Sequence, residues 1–244
     1  MAMVPPLFVR SYYSLLAGCR SPGDLLSSAS RMGYRTVVLV DRYNFYGTPV
    51  FFREARRLGM HPLAGITFPS AKITLLCLNE KGFARANELA AVFHRDRMTL
   101  TPDKNRKRGS TVFRQTELLQ TGTAVRQDLL ERGWEGLIVL SASSSVLSDL
   151  AKRQRNGLYL SILYGGPAGD TAALAREPGI KPFAVTDVVW LDKGDPELFH
   201  LLNRIGSRSG EVPAPLVTGV REHPRFADQA AAASVEREGQ GVFV

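Results

Sequence analysis

Thr36-Val37-Val38-Leu39-Val40-Asp41-Arg42-Tyr43-Asn44-Phe45-Tyr46-Gly47 is the stretch on which the fold turns. Thr36 to Asp41 is an apolar, β-branched run and reads as a strand. Its charged end gives way to a polar and aromatic turn, after which Val50, Phe51, Ala55 and Leu58 recur at helical spacing until Gly59. Strand, turn and helix in that order make one α/β unit. The same alternation extends to both sides. Upstream, Leu7 to Arg10 is a strand, and Ser21-Pro22-Gly23-Asp24 starts a helix through Leu25, Leu26 and Ala29 to Met32, stopped by Gly33. Downstream, His61 to Phe68 and Ile73 to Leu78 read as extended chain, and Arg85 to Phe93 and Ala124 to Arg132 as helices. Leu137 to Ser141, Leu158 to Leu163 and Phe183 to Asp187 are further strands. Asp195 to Ile205 is a helix opening at Asp-Pro, with Leu198, Leu201, Leu202 and Ile205 on one face. Such alternation predicts an α/β fold built on a mostly parallel sheet or barrel.

The chain has 244 residues, 44% of them hydrophobic and 22% charged, which suffices for one sizeable core. Its 31 lysines and arginines against 23 acids leave a formal charge of +8, a surplus that favours polyanionic neighbours such as nucleic acid. Cys19 and Cys77 are the only cysteines, which excludes a disulfide framework or a cysteine-built zinc site and sets a reducing, cytoplasmic location as the expectation. No apolar run approaches the roughly 20 residues that span a bilayer, and Met1 to Pro6 lacks the pattern of a signal peptide, so no membrane partner is expected. Beyond Gly206 the composition shifts to Gly, Pro, Ala and Ser. Residues 1–206 are therefore read as one domain and 207–244 as an extension, or the start of a following region.

Three motifs carry a resemblance. Ser11-Tyr12-Tyr13-Ser14-Leu15-Leu16-Ala17-Gly18, Val40-Asp41-Arg42-Tyr43-Asn44-Phe45-Tyr46-Gly47 and Thr186-Asp187-Val188-Val189-Trp190-Leu191 occur in the order and spacing of the PHP (polymerase and histidinol phosphatase) domain. The branch they resemble is the one at the N-terminus of the bacterial DNA polymerase III alpha subunit. Gly59-Met60-His61-Pro62-Leu63-Ala64-Gly65, Thr74 to Gly82, Glu135 to Ser141 and Asp195 to Gly206 are similar to further segments of that family. The resemblance implies an α/β fold, a distorted TIM-like (β/α)7 barrel of about seven units with its site where the strands end.

It also implies a metal centre that this chain lacks the residues to build. Active PHP domains hold divalent ions for phosphoester hydrolysis through histidines and carboxylates, which must stand about 2.0–2.2 Å from each ion. The family's opening histidine stretch falls here on Pro6, Phe8 and Arg10, and the acid of its next motif on Ala17. Its further ligands fall on Arg42, Thr67, Lys72, Ser143, Asp187 and Val189, of which Asp187 alone keeps the ligating type; Asp41 remains beside a lost ligand. No metal or other cofactor is therefore expected. Three positions have become cations, and the expectation is an internal ion-pair network of Arg10, Arg42 and Lys72 with Asp187 and Asp41, because a buried carboxylate left with neither metal nor cation is costly.

The remaining candidates are weaker. His61, His94, His200 and His223 stand alone and read as structural or surface residues. Ser141, Ser143, Ser144 and Ser145 have no histidine base with motif support and read as turn chemistry, as does Gly165-Gly166-Pro167. His94 to Arg108 reads as an exposed loop, and Arg95, Arg97, Lys104, Arg106, Lys107 and Arg108 are candidate nucleic-acid contacts, with Lys152, Arg153 and Arg155 as a second basic cluster. By the resemblance, the domain is expected to be a non-catalytic support or docking surface in replication or repair, with DNA or proteins of that machinery as partners. A DNA-directed DNA polymerase would be the full product of a longer gene. The alternatives are a metal-dependent phosphoesterase or 3′–5′ exonuclease, and a module in which Arg10, Arg42 and Lys72 grip a phosphate.

Overall fold

The computed structural model describes residues 7–99, 115–163, 180–185, 188 and 195–208. Seven strands form one sheet in sequence order: β1 (Leu7–Val9), β2 (Thr36–Arg42), β3 (His61–Phe68), β4 (Ile73–Cys77), β5 (Leu137–Ser141), β6 (Leu158–Leu163) and β7 (Lys181–Val185). The pairs β1–β2, β2–β3, β5–β6 and β6–β7 are parallel, whereas β4 runs antiparallel to both of its neighbours. The antiparallel step follows from the β3–β4 connection, a single 3-10 turn over Pro69–Ala71 that is too short for a helical crossover. Val188 joins the edges of the sheet: it bridges Val9, donates its amide to the Phe8 carbonyl (3.0 Å) and accepts from the Arg10 amide (2.9 Å). The result is a mixed α/β fold with a curled, seven-stranded half-barrel sheet, in keeping with the distorted TIM-like barrel expected from the sequence.

The described residues form six helices: α1 (Pro22–Arg31), α2 (Thr48–Arg57), α3 (Glu80–Thr99), α4 (Gln115–Arg132), α5 (Ser144–Ala151) and α6 (Asp195–Arg208). α1 starts where its sequence dictates. Ser21 caps it by accepting from the Asp24 amide (3.1 Å), Pro22 occupies the first turn, and Gly33 ends it with φ +85°, a conformation that costs other residues steric strain. Alternation along the strands divides the core. Outward residues of β1 and β2 (Leu7, Val9, Val37, Leu39) pack on Leu25 and Leu26 of α1 and Phe51 and Ala55 of α2. Inward residues from around the ring (Phe8, Val38, Val40, Leu76, Ile138, Leu140, Phe183) fill the barrel itself. Burying each of these large side chains stabilises the fold by about 1.5–3 kcal/mol before entropy is counted.

Three local expectations are corrected. His94 to Thr99 is the last part of α3 and not a loop, because Leu89, Ala90 and Phe93 are buried on one helical face and the charged residues after them are adequate helix formers. Residues 100–108 of that basic segment lie outside the described residues. The serine run is not merely a turn, since Ser143 stands at the N-cap position of α5 and Val146, Leu147 and Leu150 bury that helix against the sheet. On α6 the inward residue is Phe199, while Leu198, Leu201 and Ile205 are exposed. Among the described residues, no helix is long and apolar enough to cross a membrane.

Candidate functional site at the barrel mouth

β1, β2 and β3 bring three of the candidate positions to one end of the barrel. On β2 the inward side chains are Val38, Val40 and then Arg42; on β1, Phe8 and then Arg10; and Thr67 ends the inward row of β3, paired in register with Arg42. Both arginines are buried, at 5% exposure. Phe8 lies one layer deeper, edge-on to Phe183 with ring centroids 6.1 Å apart. Thr67 donates to the Ile73 carbonyl (3.4 Å) and accepts from the Thr74 hydroxyl (3.0 Å), so its oxygen belongs to the β3–β4 turn.

Asp41 points the other way, into the loop between β1 and α1. Its carboxylate accepts from the Ser11 amide and the Ser11 hydroxyl (both 2.8 Å) and from the Ser14 hydroxyl (2.7 Å). The two serines also tie the loops together: Ser14 Oγ accepts from the Arg42 amide (2.9 Å), and Ser11 Oγ from the Tyr13 amide (3.2 Å). Asn44 completes the seam by donating to the carbonyls of Tyr13 (3.1 Å) and Arg42 (2.7 Å). Burial raises the Asp41 carboxyl above its ordinary value; the hydrogen bonds from Ser14 and Ser11 and the charge of Arg10 pull it back without cancelling the rise. Ala17 is fully buried in the same loop.

Lys72 departs from the expected internal cluster. It sits after the 3-10 turn at φ +58°, and that left-handed backbone directs its side chain into solvent, where it is exposed. Only its carbonyl faces the barrel, accepting from the Ser141 hydroxyl (2.7 Å), which in turn accepts from the Ser143 amide (3.1 Å). Ser143 is half-buried at the head of α5. Pro6, Asp187 and Val189 lie outside the described residues, as do Lys104, Arg106, Lys107 and Arg108. Arg95 is exposed on α3, and Arg97 lies two residues nearer that helix's end.

Strain gathers at this mouth. Leu16 (φ +58°), Tyr43 (φ +62°) and Lys72 (φ +58°) are the non-glycine residues with left-handed backbone among those described, and each lies in one of the three loops that leave β1, β2 and β3 at this end. Tyr43 is held in place by its amide on the Thr67 carbonyl (3.0 Å) and by its own carbonyl against His94 Nε2 (2.8 Å), a contact the lone-histidine reading of the sequence did not foresee. Such conformations persist where surrounding contacts over-determine them, and they concentrate at functional sites.

The described mouth residues do not fit a divalent cation. Two guanidiniums and a threonine hydroxyl occupy inward positions, and among the described residues no group of three or more His, Cys, Asp or Glu stands close enough to hold a metal ion.

Comparison with known proteins supplies the lineage. The chain is 25% identical over 232 residues to the DNA polymerase III subunit alpha of Buchnera aphidicola subsp. Acyrthosiphon pisum, an alignment covering 84% of this chain and 19% of that one. It is 24% identical over 225 residues to the same subunit of Bacillus subtilis, covering 85% of this chain and 20% of that one. This chain thus spans about a fifth of the length of these relatives. Among solved structures, an amidohydrolase from Chromobacterium violaceum aligns over 93% of this chain and 96% of its own at 13% identity, with a TM-score of 0.34. The family model of the PHP domain matches residues 7–163, well over half of the chain, and the protein belongs to the PHP domain family.

Proposed function

We propose that this chain is a metal-free, non-catalytic PHP barrel that serves as structural support or docking surface within a DNA polymerase III alpha-like protein of replication or repair, in the cytoplasm. The observation that carries the reading is the burial of Arg10 and Arg42 at the inward mouth positions, where the family pattern places histidines. A buried guanidinium beside a divalent ion would add repulsion to desolvation, so cations at these positions and metals exclude one another. The relatives are polymerase subunits, which favours the replication context over a free-standing phosphatase.

Elemental analysis of the purified chain, together with hydrolysis assays on single-stranded DNA and a chromogenic phosphoester in manganese, tests the reading. The expected result is no stoichiometric zinc or manganese and no turnover. Manganese-dependent hydrolysis lost in Asp187→Ala would establish the alternative, a surviving phosphoesterase or exonuclease. The two buried guanidiniums also favour an anion-binding reading, in which inorganic phosphate raises the denaturation midpoint of the wild type and not of Arg10→Met.

A further inference from the structure

The loops of the mouth carry large apolar and aromatic side chains that the core does not use. Tyr46, between β2 and α2, is 69% exposed, Leu15 70% and Tyr12 48%. These residues are not on floppy chain. Tyr46 donates its amide to Asn44 Oδ1 (3.0 Å), Asn44 is fixed to the carbonyls of Tyr13 and Arg42, and the Tyr12 and Tyr13 rings lie 4.8 Å apart. Gly47 brings the two loops into contact, for a Cβ there would stand 3.0 Å from the Tyr13 ring. The buried Asp41 carboxylate then locks the first loop to the end of β2.

Exposed cations flank this platform at the same end of the barrel. Lys72 leaves β3 beside the β2–α2 loop, because Thr67 pairs with Arg42 in the sheet and accepts the Tyr43 amide. Arg95 follows His94, whose ring meets the Tyr43 carbonyl at 2.8 Å. Among the described residues neither Lys72 nor Arg95 has a side-chain partner, and both are exposed. Asp24 on α1 lies close enough to act on the Tyr12 hydroxyl, which makes Tyr46 the better platform for an anionic ligand.

We propose that the barrel mouth is a docking site for single-stranded nucleic acid, with a base stacked on Tyr46, a second base near Tyr12 and Leu15, and backbone phosphates met by Lys72 and Arg95. Exposed aromatic rings on hydrogen-bonded loops, bordered by exposed cations, match a polymer that alternates flat bases with phosphates. A duplex keeps its bases inside the stack and has nothing to offer Tyr46. The proposal rests on the docking role put forward above and names its occupant; binding requires no metal.

Fluorescence anisotropy of a labelled oligothymidylate with the full chain in EDTA tests it. The oligomer should bind, and more tightly than a duplex of equal length. Tyr46→Ala should weaken binding about tenfold, while Tyr46→Phe retains it. Lys72→Gln and Arg95→Gln should each reduce the slope of log affinity on log salt by about 0.7. Equal affinity for duplex with no effect of Tyr46→Ala overturns the proposal. So does an absence of binding accompanied by Tyr46-dependent self-association in sedimentation, which would assign the patch to a second copy of the chain. Cleavage of the oligomer when manganese replaces EDTA would refute the metal-free reading and leave Tyr46-dependent binding standing, so the two failures are separable.

Discussion

The Asp41 carboxylate holds Ser11 twice, at 2.8 Å through the backbone amide and at 2.8 Å through the hydroxyl, across 30 residues of chain. With Ser14 as third donor, one buried side chain therefore sets the path of the whole β1–α1 loop. Asp41→Ala would leave the Ser11 amide and two hydroxyls buried without an acceptor, and equilibrium denaturation should show a loss of about 3 kcal/mol. The same contact gives a pH signature. Because burial raises the folded-state carboxyl above the ordinary 3.8, the folded protein binds this proton more tightly than the unfolded chain does. The associated stability is present below 3.8 and is lost as pH rises through the higher folded value. Wild type should therefore lose stability relative to Asp41→Asn as pH climbs above 3.8 toward neutrality, and a slope of opposite sign would reject the assignment.

Arg10 tunes that carboxyl, since its charge is among the effects that lower the Asp41 value. Removing the charge while keeping the bulk, as in Arg10→Met, should raise the Asp41 value further. Carboxyl carbon NMR titration reads this directly, and an unchanged Asp41 midpoint would show that the arginine's charge is neutralised elsewhere.

Gly47 is needed for space and not for backbone freedom, since its φ is −74°. A Cβ there would stand 2.8 Å from Asp41 Oδ2, 3.0 Å from the Tyr13 ring and 3.1 Å from Ser11 Oγ. Asp41 and Ser11 are pinned by one another and cannot retreat, so Gly47→Ala should cost about 1–3 kcal/mol. A denaturation midpoint equal to wild type would mean that the loops slide apart freely.

The strands were legible because each is a β-branched apolar run bounded by turns: His61–Phe68, Leu137–Ser141 and Leu158–Leu163 are found with the limits the residues suggest. α5 was not legible, because serines fill its first turn and its three buried residues span little more than one turn. The barrel mouth was half legible. Motif position marked Arg10 and Arg42, and burial follows from the parity of their strands. Lys72 could not be placed from sequence, since the left-handed residue that turns it outward has no local signal in a lysine. Nor could the Asp41–Ser11–Ser14 lock or the Tyr12–Tyr46 platform, each assembled from separate loops that only the sheet brings together.

Trp134 offers a check on the opposite end of the barrel. Its ring is 1% exposed and its Nε1 donates to the Asn156 carbonyl at 2.9 Å, joining the chain before β5 to the turn before β6. Trp134→Phe keeps most of the apolar bulk and strands that carbonyl, so a loss of about 1–3 kcal/mol is expected, with single-stranded DNA affinity unchanged. A change in affinity would show that the two ends of the barrel are coupled.

Phe8 offers a further test of the proposed metal-free reading. It occupies an inward position where the family pattern has a histidine, yet it is 2% exposed and packs with Phe183, Val38 and Leu140 in the barrel interior. Phe8→His exchanges that packing for a ring whose polar nitrogens find only apolar neighbours in this cluster, and should destabilise the fold by about 2–4 kcal/mol. It should also fail to recruit zinc or manganese, because the next inward residues, Arg10 and Arg42, remain buried cations at the mouth. The combined change Phe8→His, Arg10→His and Arg42→His removes the repulsion and supplies three of the missing donors. Elemental analysis of the single and triple variants reads the outcome. Metal uptake by Phe8→His alone would mean that the arginines do not guard the site, whereas uptake confined to the triple variant would place the exclusion of metal at the two arginine positions.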